Sequence, residues 1–83
     1  MKIEILGTKP CGYCRQARML LNERGIEFDY KDITDDWEGR SRVQRAWEVE
    51  GERASVPGIW IDDKFIGGFE DLRSHILNLE NVQ

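Results

Sequence analysis

Two cysteines, Cys11 and Cys14, are separated by two residues, and they are the residues of this chain best suited to chemistry. A thiolate is the nucleophile of disulfide exchange and also a ligand for soft metals. A structural zinc site needs four ligands. His75 is the single histidine in the sequence, so the two cysteines and this histidine would supply only three. The pair therefore favours redox chemistry over zinc binding.

The cysteines lie where a predicted strand gives way to a predicted helix. Residues 2–6 alternate as a strand does, Gly7 to Pro10 breaks the pattern, and a helical pattern follows from about Cys11 to Arg24. Backbone N–H groups at a helix start carry partial positive charge and can stabilise a Cys11 thiolate. Cys14 lies about one turn further on, where burial slows its attack on outside groups. We therefore expect Cys11 to attack the substrate and Cys14 to resolve the mixed disulfide.

The rest of the chain continues the alternation of strands and helices. The predicted elements are a strand over 26–33, a helix capped by Asp35 or Asp36 and ending near Glu50, a hairpin of 59–61 and 65–66, and a helix from about Glu70. A strand, a helix and a strand in succession favour parallel pairing, and the hairpin adds antiparallel strands. The order β-α-β-α-β-β-α predicts an α/β protein with the thioredoxin-like fold: a four-stranded mixed sheet flanked by three helices, in one domain over 1–83.

Periodicity also predicts which side chains point inward. We expect Leu72, Ile76 and Leu79 to face the core from the last helix, with His75 on a helix face. Trp47 and Trp60 are predicted to be core residues. The pattern does not decide whether Trp37 packs against the second helix or is exposed. Three arginines, Arg40, Arg42 and Arg45, are predicted to form a solvated helix face.

Composition excludes several classes of function. The net charge of −4 argues against general binding to nucleic acid. No apolar run approaches the roughly 20 residues that cross a bilayer, and the alternating start does not resemble a signal peptide. Two cysteines are few for a secreted disulfide-stabilised domain. We therefore expect a monomeric cytoplasmic protein without a membrane partner. Three cations flank the cysteines and would favour an anionic substrate: Lys9, Arg15 and Arg18.

Two segments of the second half could build a binding site. In thioredoxin-like folds a cis proline faces the active-site cysteines at the place of Pro57, and Val56 would then pair with a substrate as an added strand does. Gly67 and Gly68 allow a ligand close to the backbone, and the helix start that follows can bind a carboxylate. Beside it Asp71 would attract an ammonium group, so the site fits an α-amino acid end. The alternatives are an ordinary trans proline at a strand start and a glycine turn with acidic capping residues.

Taken together, the segments Cys11–Cys14, Ser55–Pro57 and Gly67–Leu72 resemble the glutaredoxin family over essentially the whole chain. The resemblance implies that glutathione is the electron donor, that Cys11 is the nucleophile and that Cys14 is the resolving thiol. It further implies a set of glutathione-binding residues: Tyr13 beside the tripeptide, Ser55, Val56 and Pro57 along its cysteinyl unit, Gly68, Phe69, Glu70 and Asp71 at its γ-glutamyl end, and Lys9 or Arg53 at its glycine carboxylate.

Two alternatives remain open beside this hypothesis. A redoxin served by thioredoxin reductase would share the fold and the cysteine motif. Because Gly12 replaces the proline usual in dithiol glutaredoxins, a [2Fe–2S] cluster bridged by Cys11 of two copies and two glutathione molecules is also conceivable. The expected protein substrates are disulfide-containing or glutathionylated proteins, and nothing in the sequence selects ribonucleotide reductase, a familiar client of the family.

Overall fold

The computed structural model describes residues 1–80, so the last three residues of the predicted 1–83 domain lie outside the described part. Its seven elements follow the predicted order: β1 (Ile3–Gly7), α1 (Gly12–Glu23), β2 (Asp29–Asp32), α2 (Trp37–Val49), β3 (Gly58–Ile61), β4 (Lys64–Gly67) and α3 (Phe69–Glu80).

The four strands form one mixed sheet in the order β2-β1-β3-β4. Strand β1 is parallel to β2 and antiparallel to β3, which pairs with β4 as a hairpin. Helices α1 and α3 pack on one face through the cluster that includes Ile5, Leu21 and Ile76. Helix α2 packs on the other face, where Val43 and Trp47 meet Trp60. The thioredoxin-like fold is confirmed.

Strand β2 is shorter than predicted, since it begins at Asp29 and not at residue 26. The reason is the end of α1. Gly25 has a φ of 66°, and the N–H of Ile26 donates to the carbonyl of Leu21, which closes the helix with a Schellman-type turn. Ile26 and the nearby Phe28 then pack against the core from the loop after the helix.

Most of the predicted core positions are buried, including both Trp47 and Trp60. Leu79 is an exception and the prediction for it was wrong, because its side chain is 48% exposed. Near that end of α3, Glu80 forms an ion pair with Arg24 at the end of α1. Trp37, at the start of α2, is 79% exposed.

The arginine face of α2 is less uniform than predicted. Arg42 lies over the ring of Trp60, with its guanidinium carbon 4.0 Å from the ring centroid. The same guanidinium is 3.3 Å from the Glu4 carboxylate on β1. Arg42 therefore covers the sheet as well as facing solvent, whereas Arg40 and Arg45 are exposed.

Trp47 ties helix α2 to the loop that precedes β3. Its indole N–H donates to the carbonyl of Ser55 at 2.8 Å, and its ring meets Phe65 edge-on at 5.1 Å. A typical hydrogen bond within a protein contributes about 0.5–1.5 kcal/mol to stability, and this one is partly buried. This contact therefore fixes the loop that carries Val56 and Pro57.

We expect Trp47→Phe to lower the free energy of unfolding by about 1–3 kcal/mol, since it removes the donor to Ser55 and part of the buried ring. Chemical denaturation measures the change. Trp37→Phe is the matched control, and it should shift the value by less than about 0.5 kcal/mol because Trp37 is exposed. Equal losses in the two variants would contradict this account.

The end of β1 approaches the start of α1 so closely that only a glycine fits there. A Cβ on Gly7 would lie 2.6 Å from the Cys14 sulfur and 3.0 Å from the Cys14 Cβ. Both atoms belong to a buried side chain with little room to move. By contrast, a Cβ on Gly12 would meet nothing within 4 Å.

Gly7→Ala should therefore destabilise the fold by about 1–3 kcal/mol through overpacking, although alanine is ordinarily the better strand residue. Gly12→Ala adds the same methyl group in open space, and it should leave the free energy of unfolding unchanged or slightly higher. Thermal or urea unfolding of the two variants side by side tests the expectation. A Gly7→Ala variant as stable as Gly12→Ala would show that the contact is not tight.

Candidate active site

Cys11 is the capping residue at the start of α1. Its backbone is extended (φ −82°, ψ 116°), and its sulfur accepts the N–H of Cys14 at 3.2 Å, as a serine or aspartate cap would. The sulfur is half-buried and lies 3.5 Å from the carbonyl oxygen of Val56. Cys11 thus combines partial access to solvent with a position at the positive end of a helix.

Cys14 has the opposite surroundings. Its side chain is fully buried in the first turn of α1. Burial, followed by the hydrogen bond with Cys11, raises the pKa of the Cys14 thiol from 9.0 to about 12, against a smaller lowering by the backbone N–H of Thr8. Cys14 is therefore protonated at neutral pH and out of reach of outside molecules. This asymmetry matches the predicted division between an attacking and a resolving thiol.

The segment before β3 lies against the cysteines as predicted. The Val56–Pro57 peptide bond is cis, so the alternative of an ordinary trans proline is wrong. The Val56 carbonyl points at the Cys11 sulfur, and Pro57 is buried beneath it. An extended peptide held along Val56 would therefore bring its own sulfur next to Cys11.

A shallow cavity of about 190 Å³ opens beside this segment. It brings together eight of the predicted ligand-binding residues from three separate parts of the chain: Tyr13, Ser55, Val56, Pro57, Gly68, Phe69, Glu70 and Asp71. Tyr13 is 59% exposed, and its ring stacks on Phe69 with the centroids 6.0 Å apart. The two rings form an apolar wall beside Cys11.

Asp71 has a structural task as well as its place in the cavity. Its Oδ2 accepts the N–H of Gly68 at 3.0 Å and so caps α3. The cap requires the glycine before it, since Gly67 has a φ of 117° and a Cβ there would lie within 3.1 Å of three Asp71 side-chain atoms. The acidic capping residue and the ligand group expected from the sequence are therefore the same carboxylate, of which Oδ2 accepts the Gly68 N–H.

A second groove of about 450 Å³ adjoins the first cavity and shares Ser55 and Val56 with it. Its other lining residues come from the β1–α1 loop, the loop before α2, α2 itself and the loop before β3: Thr8, Pro10, Ile33, Thr34, Arg40, Val43, Gln44 and Ala54. Arg40 is the charged side chain among them. Lys9 and Arg53, the cations predicted for a ligand carboxylate, are exposed and line neither cavity.

Sequence reasoning placed Arg40 on a solvated helix face, and it missed Gln44 and Gly7 as parts of this region. The arginine belonged to a run of charged positions on α2, and such a run is typical of a solvated face. Gly7 interrupts a strand pattern, which identifies a break but not the sulfur that requires it. A larger cavity, of about 680 Å³, lies near Met1 and residues 25–29 and contains neither cysteine.

Among residues 1–80, no group of three or more His, Cys, Asp or Glu side chains converges in the manner of a metal site. A cluster bridged between two copies would take one thiolate from each chain, so this finding does not test the [2Fe–2S] hypothesis. Over the same residues, none of the helices has both the length and the apolar character to span a bilayer.

Comparison with known proteins identifies the family. The glutaredoxin family model matches residues 3–66. A Synechocystis sp. protein described as a probable glutaredoxin is 41% identical over 71 residues, which cover 86% of this chain and 77% of that one. The crystal structure of glutaredoxin 1 from Francisella tularensis, complexed with cacodylate, has a TM-score of 0.75 at 33% identity and covers 98% of both chains.

A buckwheat glutaredoxin–glutathione complex shares the fold, with a TM-score of 0.76 at 20% identity, over 94% of this chain and 70% of that one. Family model, relatives and fold agree with the half-buried Cys11, the buried Cys14 and the cis proline that faces them. The chain therefore belongs to the glutaredoxin family of thiol–disulfide oxidoreductases.

Proposed function

We propose that this protein is a glutathione-dependent oxidoreductase that reduces protein disulfides and mixed disulfides between proteins and glutathione. The observation that carries the proposal is that the Cys11 sulfur lies 3.5 Å from the carbonyl oxygen of Val56, a residue that lines both grooves. A tripeptide laid across Val56 has its central cysteine at Cys11 and one end in each groove. The buckwheat relative, a protein of the same fold, was crystallised with glutathione.

The chemistry of each groove suits one end of glutathione. The cysteinyl backbone pairs with Val56 as an added strand, beside Ser55 and Pro57. At the γ-glutamyl end, the α-carboxylate binds the Phe69 and Glu70 amides at the start of α3, next to Gly68, and the ammonium group binds Asp71. Tyr13 covers the same end.

The glycine carboxylate reaches the second groove, where Arg40 provides a cation. Lys9 and Arg53 remain candidates for the same carboxylate, since both side chains are long and exposed.

The reaction follows from the unequal cysteines. The Cys11 thiolate attacks the glutathione sulfur of a mixed disulfide, a new S–S bond forms, and the protein thiolate leaves and takes up a proton. A second glutathione thiolate then attacks the bound glutathione sulfur, which releases oxidised glutathione and restores Cys11. When the substrate is a protein disulfide, Cys14 instead attacks Cys11 and expels the partner, and the resulting Cys11–Cys14 disulfide is reduced by two glutathione molecules.

This chemistry suits a monomer in the cytoplasm, where glutathione keeps thiols reduced. The proposed substrates are glutathionylated and disulfide-containing proteins. Ribonucleotide reductase belongs to this class, and no feature of the grooves selects it from the others.

Cys11→Ser should abolish glutathione-dependent reduction of a glutathionylated peptide, because the hydroxyl does not replace the thiolate as nucleophile. Cys14→Ser should retain that activity and lose the dithiol reduction of a protein disulfide. A coupled assay with glutathione reductase and NADPH measures both variants beside the wild type. Full activity of Cys11→Ser would contradict the assignment.

The same assay with thioredoxin reductase in place of glutathione and its reductase tests the alternative electron donor. We expect turnover with glutathione and little with thioredoxin reductase. The reverse result would assign the chain to the redoxins that share the fold and the cysteine motif but lack a glutathione site.

Arg40→Gln should raise the KM for a glutathionylated peptide by about threefold to tenfold, with a smaller change in kcat, because it removes a partly screened contact to the carboxylate. Arg45→Gln is the matched control, since Arg45 is exposed on the same helix but does not line the groove. Equal KM values for the two variants would remove Arg40 from the site.

A further inference from the structure

Two polar groups with no partner are buried behind Cys14. The hydroxyl of Tyr30 on β2 and the Nε of Arg18 on α1 are shielded from solvent, and neither has a hydrogen-bond partner among residues 1–80. The Arg18 guanidinium carbon lies 4.3 Å from the centroid of the Tyr30 ring. Burying such groups without partners costs free energy, so a native structure that keeps them calls for a reason.

The surroundings of Gly7 show what lies near the Tyr30 hydroxyl. The position that a Cβ on Gly7 would take is 2.6 Å from the Cys14 sulfur and 3.3 Å from the Tyr30 hydroxyl oxygen. The sulfur and the hydroxyl therefore both border the position that a side chain of residue 7 would occupy. The unpartnered hydroxyl and the buried thiol are thus neighbours of the same position, without a hydrogen bond between them in this state.

The position of the Tyr30 hydroxyl matters in the resolving step, when Cys14 attacks the Cys11 sulfur of the mixed disulfide. Cys14 must become a thiolate to attack Cys11, yet burial, the largest cause of its raised pKa, persists when Cys11 is bonded to the substrate. Burial, and then the negative charge of Cys14, raises the pKa of Tyr30 above its usual 10.0, so its hydroxyl stays protonated and able to donate. The positive charge of Arg18 favours the Cys14 thiolate, because it lowers the pKa of Cys14.

We propose that Tyr30 and Arg18 are positioning residues for the resolving step, in which the Tyr30 hydroxyl donates to the Cys14 thiolate as it forms and Arg18, held against the Tyr30 ring, supplies positive charge. The inference rests on the proposed roles of Cys11 and Cys14. It concerns the reduction of protein disulfides, in which Cys14 takes part, and leaves the glutathione mixed-disulfide reaction of Cys11 unaffected.

The step balances without a further reactant. The Cys14 thiol gives its proton to solvent, and the thiolate attacks the Cys11 sulfur of the mixed disulfide. The S–S bond to the substrate breaks as the Cys11–Cys14 bond forms, and the substrate sulfur leaves with the electron pair and takes up a proton. Tyr30 keeps its own proton throughout.

Charged groups on the neighbouring elements also act on Cys14 and Tyr30. A negative Cys11 raises the pKa of Cys14 and also that of Tyr30, but the Cys11 charge disappears in the mixed disulfide. From β2, Asp32 raises the pKa of Tyr30, and Lys9 lies close enough to Asp32 to offset part of that charge. With Cys11 bonded to substrate, the Thr8 backbone N–H and Arg18 both lower the pKa of Cys14, and the proposal adds the Tyr30 hydroxyl to them.

A chromogenic disulfide separates the two steps. When the reduced protein reacts with 5,5′-dithiobis(2-nitrobenzoate), Cys11 releases the first thionitrobenzoate in a phase whose rate depends on reagent concentration. Cys14 then releases the second in a concentration-independent phase. Stopped-flow absorbance on the whole chain resolves both.

Tyr30→Phe removes the hydroxyl and keeps the ring under Arg18. We expect the second phase to slow about tenfold while the first is unchanged, since a hydrogen bond to a charged group accounts for at least that factor. The second-phase rate should rise with pH in wild type as Cys14 deprotonates. In Tyr30→Phe the same rise should be displaced to higher pH, because the thiolate has lost a donor.

Arg18→Gln should also slow the second phase, and Arg18→Lys should restore part of the rate because it keeps the charge. Arg15→Gln is the matched control, since it removes a charge from an exposed position of the same helix, next to Cys14 in sequence. Its second phase should equal that of wild type. If Tyr30→Phe does not fold, the comparison of Arg18→Gln with Arg18→Lys and Arg15→Gln decides the question.

The outcomes separate this inference from the proposed function. If Cys14→Ser loses the second phase while Tyr30→Phe and Arg18→Gln keep the wild-type rate and pH profile, the inference is overturned and the roles of the cysteines stand. Equal slowing of both phases would indicate a merely structural role and would also overturn it. A second phase that persists in Cys14→Ser would overturn the roles of the cysteines themselves.

Discussion

The site depends on one contact at the start of α1, where the backbone N–H of Cys14 donates to the sulfur of Cys11. It makes Cys11 the cap of the helix, with its sulfur in the positive field of the unpaired N–H groups. The same turn buries Cys14 under the end of β1. Because a helix can have only one capping residue at this end, two chemically identical side chains acquire opposite surroundings.

Every other part of the site is arranged around that helix start. β1 delivers the chain to it, and Gly7 lets the strand end approach Cys14 without a side chain between them. Trp47 holds the loop of Val56 and Pro57 opposite Cys11 through its bond to Ser55. Helix α3 brings its own N-terminus to the same edge. Two helix starts thus point at one groove, which suits a thiolate at one and a ligand carboxylate at the other.

Local patterns were enough to predict most of the fold. Alternation in β1, the Gly25 helix end and the hairpin around residues 62–64 are short-range features, and each appears where its residues predict it. The errors came at positions that continue a periodic pattern but have different surroundings in the folded chain. Ile26 continues the alternation of a strand, but its N–H closes α1 instead. Leu79 continues the helical stripe, but it lies in the last turn of α3, where its side chain is half-exposed and the neighbouring Glu80 pairs with Arg24.

By itself, the sequence determined the cysteine pair, the order of the elements and the segments that resemble glutaredoxins, because motif spacing and periodicity are properties of neighbouring residues. Only the tertiary structure decided which side chains share a groove. It brought Arg40 and Gln44 beside Val56, left Lys9 and Arg53 outside, and placed the Tyr30 hydroxyl next to the Cys14 sulfur. The physical reason is that burial and proximity depend on how separate elements cross, and no local pattern along the chain records where a strand and a helix meet.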